Sequence, residues 1–240
     1  MLGLLDSPNV LTAQTPQGTN AVKTMSIKPK ARPFIMVLSF MNVALFTEVY
    51  GDLLAKLQNK IEVLHGLSNE RVLDLISSPD LSGILVTDTA IVDRENAYLL
   101  DKLVEYTKAG GTVVLGGTFC AHITCDELKR FFSDAWDMPW EMGDYTSTDI
   151  TINGKHELAK KTASLPSSFR TKAVHLRGVT PAMALYVASK HSHIYAPLRN
   201  ITQASMVHTK VGKGYLGYLG DVGPHEDHTK IVLAMFGLLG

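Results

Sequence analysis

The stretch "GGTVVLGGTFCAHITCDELKRFF", Gly110 to Phe132, carries an apolar strand through a glycine-rich loop into a helix. "TVVLGG" is a short continuous apolar run, the pattern of a strand buried on both faces. "CDELKRFFSDAW" reads as a helix, and Thr124 with Glu127 has the spacing of a capping box, which satisfies free amides at a helix start. The loop therefore ends at Thr124. It holds Cys120, which is either a nucleophile at the mouth of a site or a small thiol that packs well.

Toward the amino terminus the same alternation repeats. "PFIMVLSF" is another continuous apolar run, followed by the helical spacing of Val49, Leu53, Leu54 and Leu57 and by the short strand "IEVLHGL". "SNERVLDLISSP" is a helix with Ser68 as N-cap and Pro79 as stop. The strand "LSGILVTDTAI" and the helix "ENAYLLDKLVEYTKAGG" lead back to the opening stretch. Four strands separated by helices predict a three-layer α/β sandwich around a mostly parallel sheet.

Beyond Trp136 the rhythm changes. "MPWEMGDYTSTDITIN" reads as an extended insertion, "HELAKKTASLP" as a short helix, and "AVHLRGV" and "ALYVAS" as strands. "ASMVHTKVGKGYLGYLGDV" predicts a late antiparallel hairpin turning at "VGKG", with Gly212 and Gly214 supplying positive φ. "HTKIVLAMFGLLG" closes the chain as an apolar helix.

In a parallel sheet, ligands bind beyond the carboxyl ends of the strands. Those ends supply the candidates: Asn42 after the first strand, Asp88 and Thr89 after the third, Gly116, Gly117, Thr118, Cys120 and His122 after the fourth, and Asp221 to His228 after the last. Cys120 precedes a helix whose amino-terminal amides favour a thiolate. His225, or His122, would take its proton, Glu226 or Asp221 would orient the base, and amides near Gly117 and Thr118 would meet an oxyanion. The bland alternative for "GDVGPHEDHTK" is a polar helix start whose acids offset the helix dipole. His225 and His228 share a helix face, yet a third ligand for zinc is missing. "HSH" at His191 to His193 reads as a surface turn, and Trp136 with Trp140 as a seal over a helix end or a pocket wall.

Lysine plus arginine equals aspartate plus glutamate at 23 each, so no bulk field collects nucleic acid or anionic lipid. No apolar run nears the roughly 20 residues that cross a bilayer. A small-molecule ligand is the expected partner, with no nucleic acid and no membrane, and a homodimer is compatible with the architecture. The two cysteines are too close together to staple distant parts of a fold, which fits a reducing, cytoplasmic setting. Residues 1–32, rich in Thr, Gln, Pro and Lys with Asp6 as the single acid, are expected to be a poorly ordered tail before one domain over 33–240; a mitochondrial leader is the alternative. No Walker A motif, no G-x-G-x-x-G after the first strand and no G-x-S-x-G elbow are present, so no cofactor is implied.

Two passages, "YTKAGGTVVLGGTFCAHI" and "VHTKVGKGYLGYLGDVG", carry a family resemblance. The first is similar to the helix, glycine pair and strand before the central loop of the class I glutamine amidotransferase-like superfamily, and the second to its late hairpin. Within that superfamily the chain resembles the trehalose-utilisation (ThuA-like) branch and fungal relatives. The resemblance implies a flavodoxin-like sheet and a cysteine-dependent hydrolase or transferase acting on a carbon–nitrogen or acyl bond. It also implies a cysteine on a sharp strand-to-helix elbow and a His-x-Glu pair. Here the elbow falls near Gly116 or Gly117 with Cys120 a turn later, and "PHED" sets His225 and Glu226 side by side. The alternative is a metabolite- or carbohydrate-binding or interaction protein that keeps the fold without the elbow nucleophile.

Overall fold

The computed structural model describes residues 32–41, 43–189, 192 and 203–239. The expected tail over 1–32, apart from Arg32, lies outside the described residues, as do Asn42, His191 and His193. The amino-terminal half alternates as β1 (Phe34–Leu38), α1 (Val43–Val49), α2 (Gly51–Gln58), β2 (Glu62–His65), α3 (Asn69–Leu75), β3 (Leu81–Val86), α4 (Ala97–Ala109) and β4 (Thr112–Leu115). A single turn, α5 (Phe119–His122), and α6 (Cys125–Arg130) follow. The remainder is β5 (Glu141–Ile152), α7 (Glu157–Lys161), β6 (Ser168–Arg177), β7 (Ala184–Ala188), β8 (Ala204–Val211), β9 (Gly214–Leu219) and α8 (Glu226–Met235).

The continuous apolar character of β1 has a direct cause. Phe34, Met36 and Leu38 face one core with Val72, Leu99, Leu103 and Leu128, while Ile35 and Val37 face another with Phe46, Leu57 and Ile231. The strand is thus buried on both sides by helices: α3, α4 and α6 cover one face, and α1, α2 and α8 the other. Local chemistry sets the helix starts. The Thr124 hydroxyl accepts the Glu127 amide and the Glu127 side chain returns to the Thr124 amide, a complete capping box. Thr124→Ala should therefore cost about 1 kcal/mol, read as a lower urea midpoint with unchanged slope. Ser68 likewise accepts the Arg71 amide. At the β8–β9 turn only Gly212 has positive φ, +60°. Gly214 is needed for a different reason, since a side chain there would collide with the Gly111 and Thr107 carbonyls.

The expectation of a mostly parallel, flavodoxin-like sheet is corrected by the pairing. The nine strands run in the order β2-β1-β3-β4-β9-β8-β6-β5-β7. Four pairings are parallel, β1 with β2 and β3, then β3–β4 and β4–β9. Five are antiparallel. The antiparallel part closes on itself, because β7 pairs with both β5 and β8 and completes a four-stranded ring β5-β6-β8-β7. What reads as an extended insertion is β5, the longest strand, paired along most of its length with β6. Among the described residues no helix is long and apolar enough to cross a membrane.

Candidate functional site

The carboxyl ends of β4 and β9 lie side by side, Leu115 opposite Tyr218. Beyond them the chain turns through Gly116 and Gly117, where φ is +61°. A side chain at Gly117 would press on the Phe46 ring at 2.9 Å and on Thr87 at 3.1 Å. The left-handed position of this strand-to-helix turn is therefore held by a residue with no side chain to react. The Tyr50 hydroxyl donates to the Gly117 carbonyl at 3.0 Å, and burial pushes this phenol far above its ordinary pKa.

A cavity of about 330 Å3 opens here, lined by Tyr50, Gly117, Leu219, Asp221, His225 and His228 among others. That volume lies in the range of small-ligand sites. At its floor His228 Nδ1 meets Asp221 Oδ2 at 2.9 Å, with the two side chains 8% and 3% exposed. The same Nδ1 also faces the Gly223 carbonyl at 3.3 Å. Both neighbours are acceptors, so Nδ1 carries a proton, and the neutral tautomer this selects is the one with its lone pair at Nε2. Nε2 of His228 and Oδ1 of Asp221 are both buried without a hydrogen-bond partner. Unmade bonds of this kind at a cavity wall call for a donor from outside the chain.

The other anticipated residues fall in different places. Cys120 lies on α5 at 3% exposure, and its thiol donates to the Leu219 carbonyl at 2.9 Å. Burial pushes the Cys120 thiol well above the ordinary range, which disfavours the thiolate a nucleophile needs. His225 caps α8, its Nδ1 accepting the Asp227 amide at 3.2 Å, and its ring stacks on Phe169 with centroids 5.7 Å apart. Glu226 is an exposed member of ion pairs with Lys56 at 3.9 Å and Lys230 at 3.4 Å. Such exposed pairs contribute little to stability.

Asp88 is committed within the fold. Its Oδ2 accepts the Phe40 and Met41 amides at 2.7 and 2.9 Å, and its Oδ1 the Ala90 amide at 3.2 Å. The Thr118 hydroxyl and amide both donate to the Thr87 carbonyl, at 2.9 and 2.8 Å. The Gly116 amide donates to Val86, and Thr89 contacts Met41 through its hydroxyl. His122 is exposed at the end of α5. Trp136 and Trp140 pack in the core beside Phe131 and Phe132. Among the described residues no group of three or more His, Cys, Asp or Glu is placed to hold a metal ion.

Of the anticipated residues, Gly117, Asp221, His225 and Glu226 line the cavity, whereas Cys120, His122, Asp88, Thr89, Gly116 and Thr118 do not. His228 entered the sequence reading as the end of the Asp221 to His228 cluster and as a partner of His225 for zinc, without a catalytic role, and Tyr50 did not enter it. The seven-residue separation of Asp221 and His228 was visible. That the β9–α8 loop folds one onto the other was not.

This α/β sheet, parallel on one side and closed into an antiparallel ring on the other, has a ThuA-like fold. Two solved structures carry that assignment. A ThuA-like protein from Bacteroides uniformis superposes with a TM-score of 0.53 at 13% identity, over 88% of this chain and 93% of that one. Another from Parabacteroides merdae gives a TM-score of 0.50 at 14% identity, over 88% of each chain. At such identities the likeness establishes the fold alone. No family model matches the sequence, and no curated protein matches it.

Proposed function

We propose that this chain belongs to the class I glutamine amidotransferase-like superfamily and binds a small metabolite without thiol catalysis, through the Asp221–His228 pair. The single observation that carries the reading is the pair of buried, unpartnered acceptors, Asp221 Oδ1 and His228 Nε2, at the cavity. Two acceptors select a ligand with donors, such as a polyol, a carbohydrate or an amine. The buried, protonated Cys120 supports the same conclusion from the other side.

A second reading rests on the 2.9 Å contact between His228 and Asp221. A carboxylate that fixes an imidazole tautomer is the orienting half of a general-base pair, so His228 Nε2 could deprotonate a water for hydrolysis of a bound substrate.

The test is a ligand screen by thermal shift with hydroxylated and amino metabolites. Stabilisation should survive Cys120→Ala and His225→Ala, and affinity should fall about tenfold in Asp221→Asn. Turnover that disappears in His228→Gln would favour the second reading. A covalent adduct at Cys120 would overturn the first.

A further inference from the structure

A second cavity, of about 560 Å3, lies at the opposite ends of β4 and β9, where Thr112 pairs with Tyr215. Its walls are mainly apolar and include Leu158, Met183, Met235 and Phe236, with Tyr215 and His208 beside them. The His208 ring lies on the Tyr215 ring, centroids 4.8 Å apart and planes within 8°. His208 is 7% exposed, and its Nε2 is buried with no hydrogen-bond partner. The neighbouring histidine does not supply that partner: His156 Nδ1 accepts the Leu158 amide, and its Nε2 donates to the His208 carbonyl at 2.7 Å.

The character of this orphaned nitrogen limits what can satisfy it. Burial, aided by His156 and Lys161, lowers His208 to about 4, so the ring is neutral at physiological pH. The charged groups nearby are solvated at the rim, with Lys161 and Glu157 exposed at 71% and 77% and 3.9 Å apart. Lys210, also exposed, lines the cavity as well, and the carboxyl end of α8 sets a partial negative charge against the two lysines. A hydroxyl can donate or accept, so it meets Nε2 in either tautomer.

We infer that this cavity is a binding site for a neutral, largely apolar molecule bearing one hydroxyl, hydrogen-bonded to His208 Nε2. The site is independent of the one around Asp221.

The experiment uses p-cresol as probe, with toluene and benzoate as its apolar and charged counterparts, titrated into the full chain and followed by amide NMR. Saturable shifts should centre on Thr112, Tyr215 and Phe236, with p-cresol binding about tenfold more tightly than toluene. His208→Phe keeps a ring against Tyr215 and should abolish that advantage. Ala182→Trp, at an exposed position on the rim, should block the cavity and leave the fold intact, so it decides the matter if His208→Phe is unstable. The inference is overturned if toluene binds as well as p-cresol, if benzoate binds more tightly, if Ala182→Trp leaves binding unchanged, or if the shifts fall only around Gly117 and Leu219.

Discussion

Iodoacetamide at about pH 8 is expected to alkylate Cys125 at least ~100-fold faster than Cys120. The contrast follows from position. Cys125 is exposed, whereas Cys120 is buried, its thiol donating to the Leu219 carbonyl. Reaction at Cys120 then requires the α5 turn to open, and a local opening free energy of about 2.7 kcal/mol already gives a hundredfold protection. Peptide mass spectrometry over a time course reads both sites in one sample. Similar rates at the two thiols would mean that the α5 turn opens freely, and a faster Cys120 would restore the case for a nucleophile.

The second large effect is acid destabilisation. A histidine whose folded-state pKa lies below its unfolded value takes up its proton first in the unfolded chain, so stability is full at high pH and is lost as the pH falls through this window. His208, lowered to about 4 by burial, defines a window from its ordinary 6.5 down to about 4. It should contribute a loss of about 2 kcal/mol between pH 8 and pH 5. Burial lowers His65, His156 and His175 in the same direction. Urea midpoints across that range measure the slope, and His208→Phe should flatten it. A midpoint unchanged between pH 8 and pH 5 would show that His208 is solvated.

How much of this was legible from residues alone depended on whether the cause was local. β1 and β3 could be read directly, because helices cover both faces and every position but the exposed Ser82 is buried. The capping box at Thr124 could be read because both its partners lie within one turn. β5 could not. Its "EMGDYTSTDITI" is dominated by polar residues, and only pairing with β6 and β7, distant in sequence, makes it a strand. The ring, and with it the balance of antiparallel over parallel pairing, was hidden for that reason.

The candidate site divides along the same line. The rule that ligands gather at strand ends led to Gly117 and Asp221, since it depends only on where strands stop. It could not say which way α5 turns Cys120, whose thiol reaches a carbonyl 99 residues away. Nor could it show that His228 would fold back onto Asp221.

The closed ring has a further consequence for association. An open sheet ends in two strands with unsatisfied amides and carbonyls, each a template for another chain. Because β7 returns to β8, the terminal strand outside the ring is β2, which is four residues long and begins at the exposed Glu62. Strand addition at that end of the sheet, whether by a partner peptide or by a misfolded copy, thereby meets a short and partly charged border.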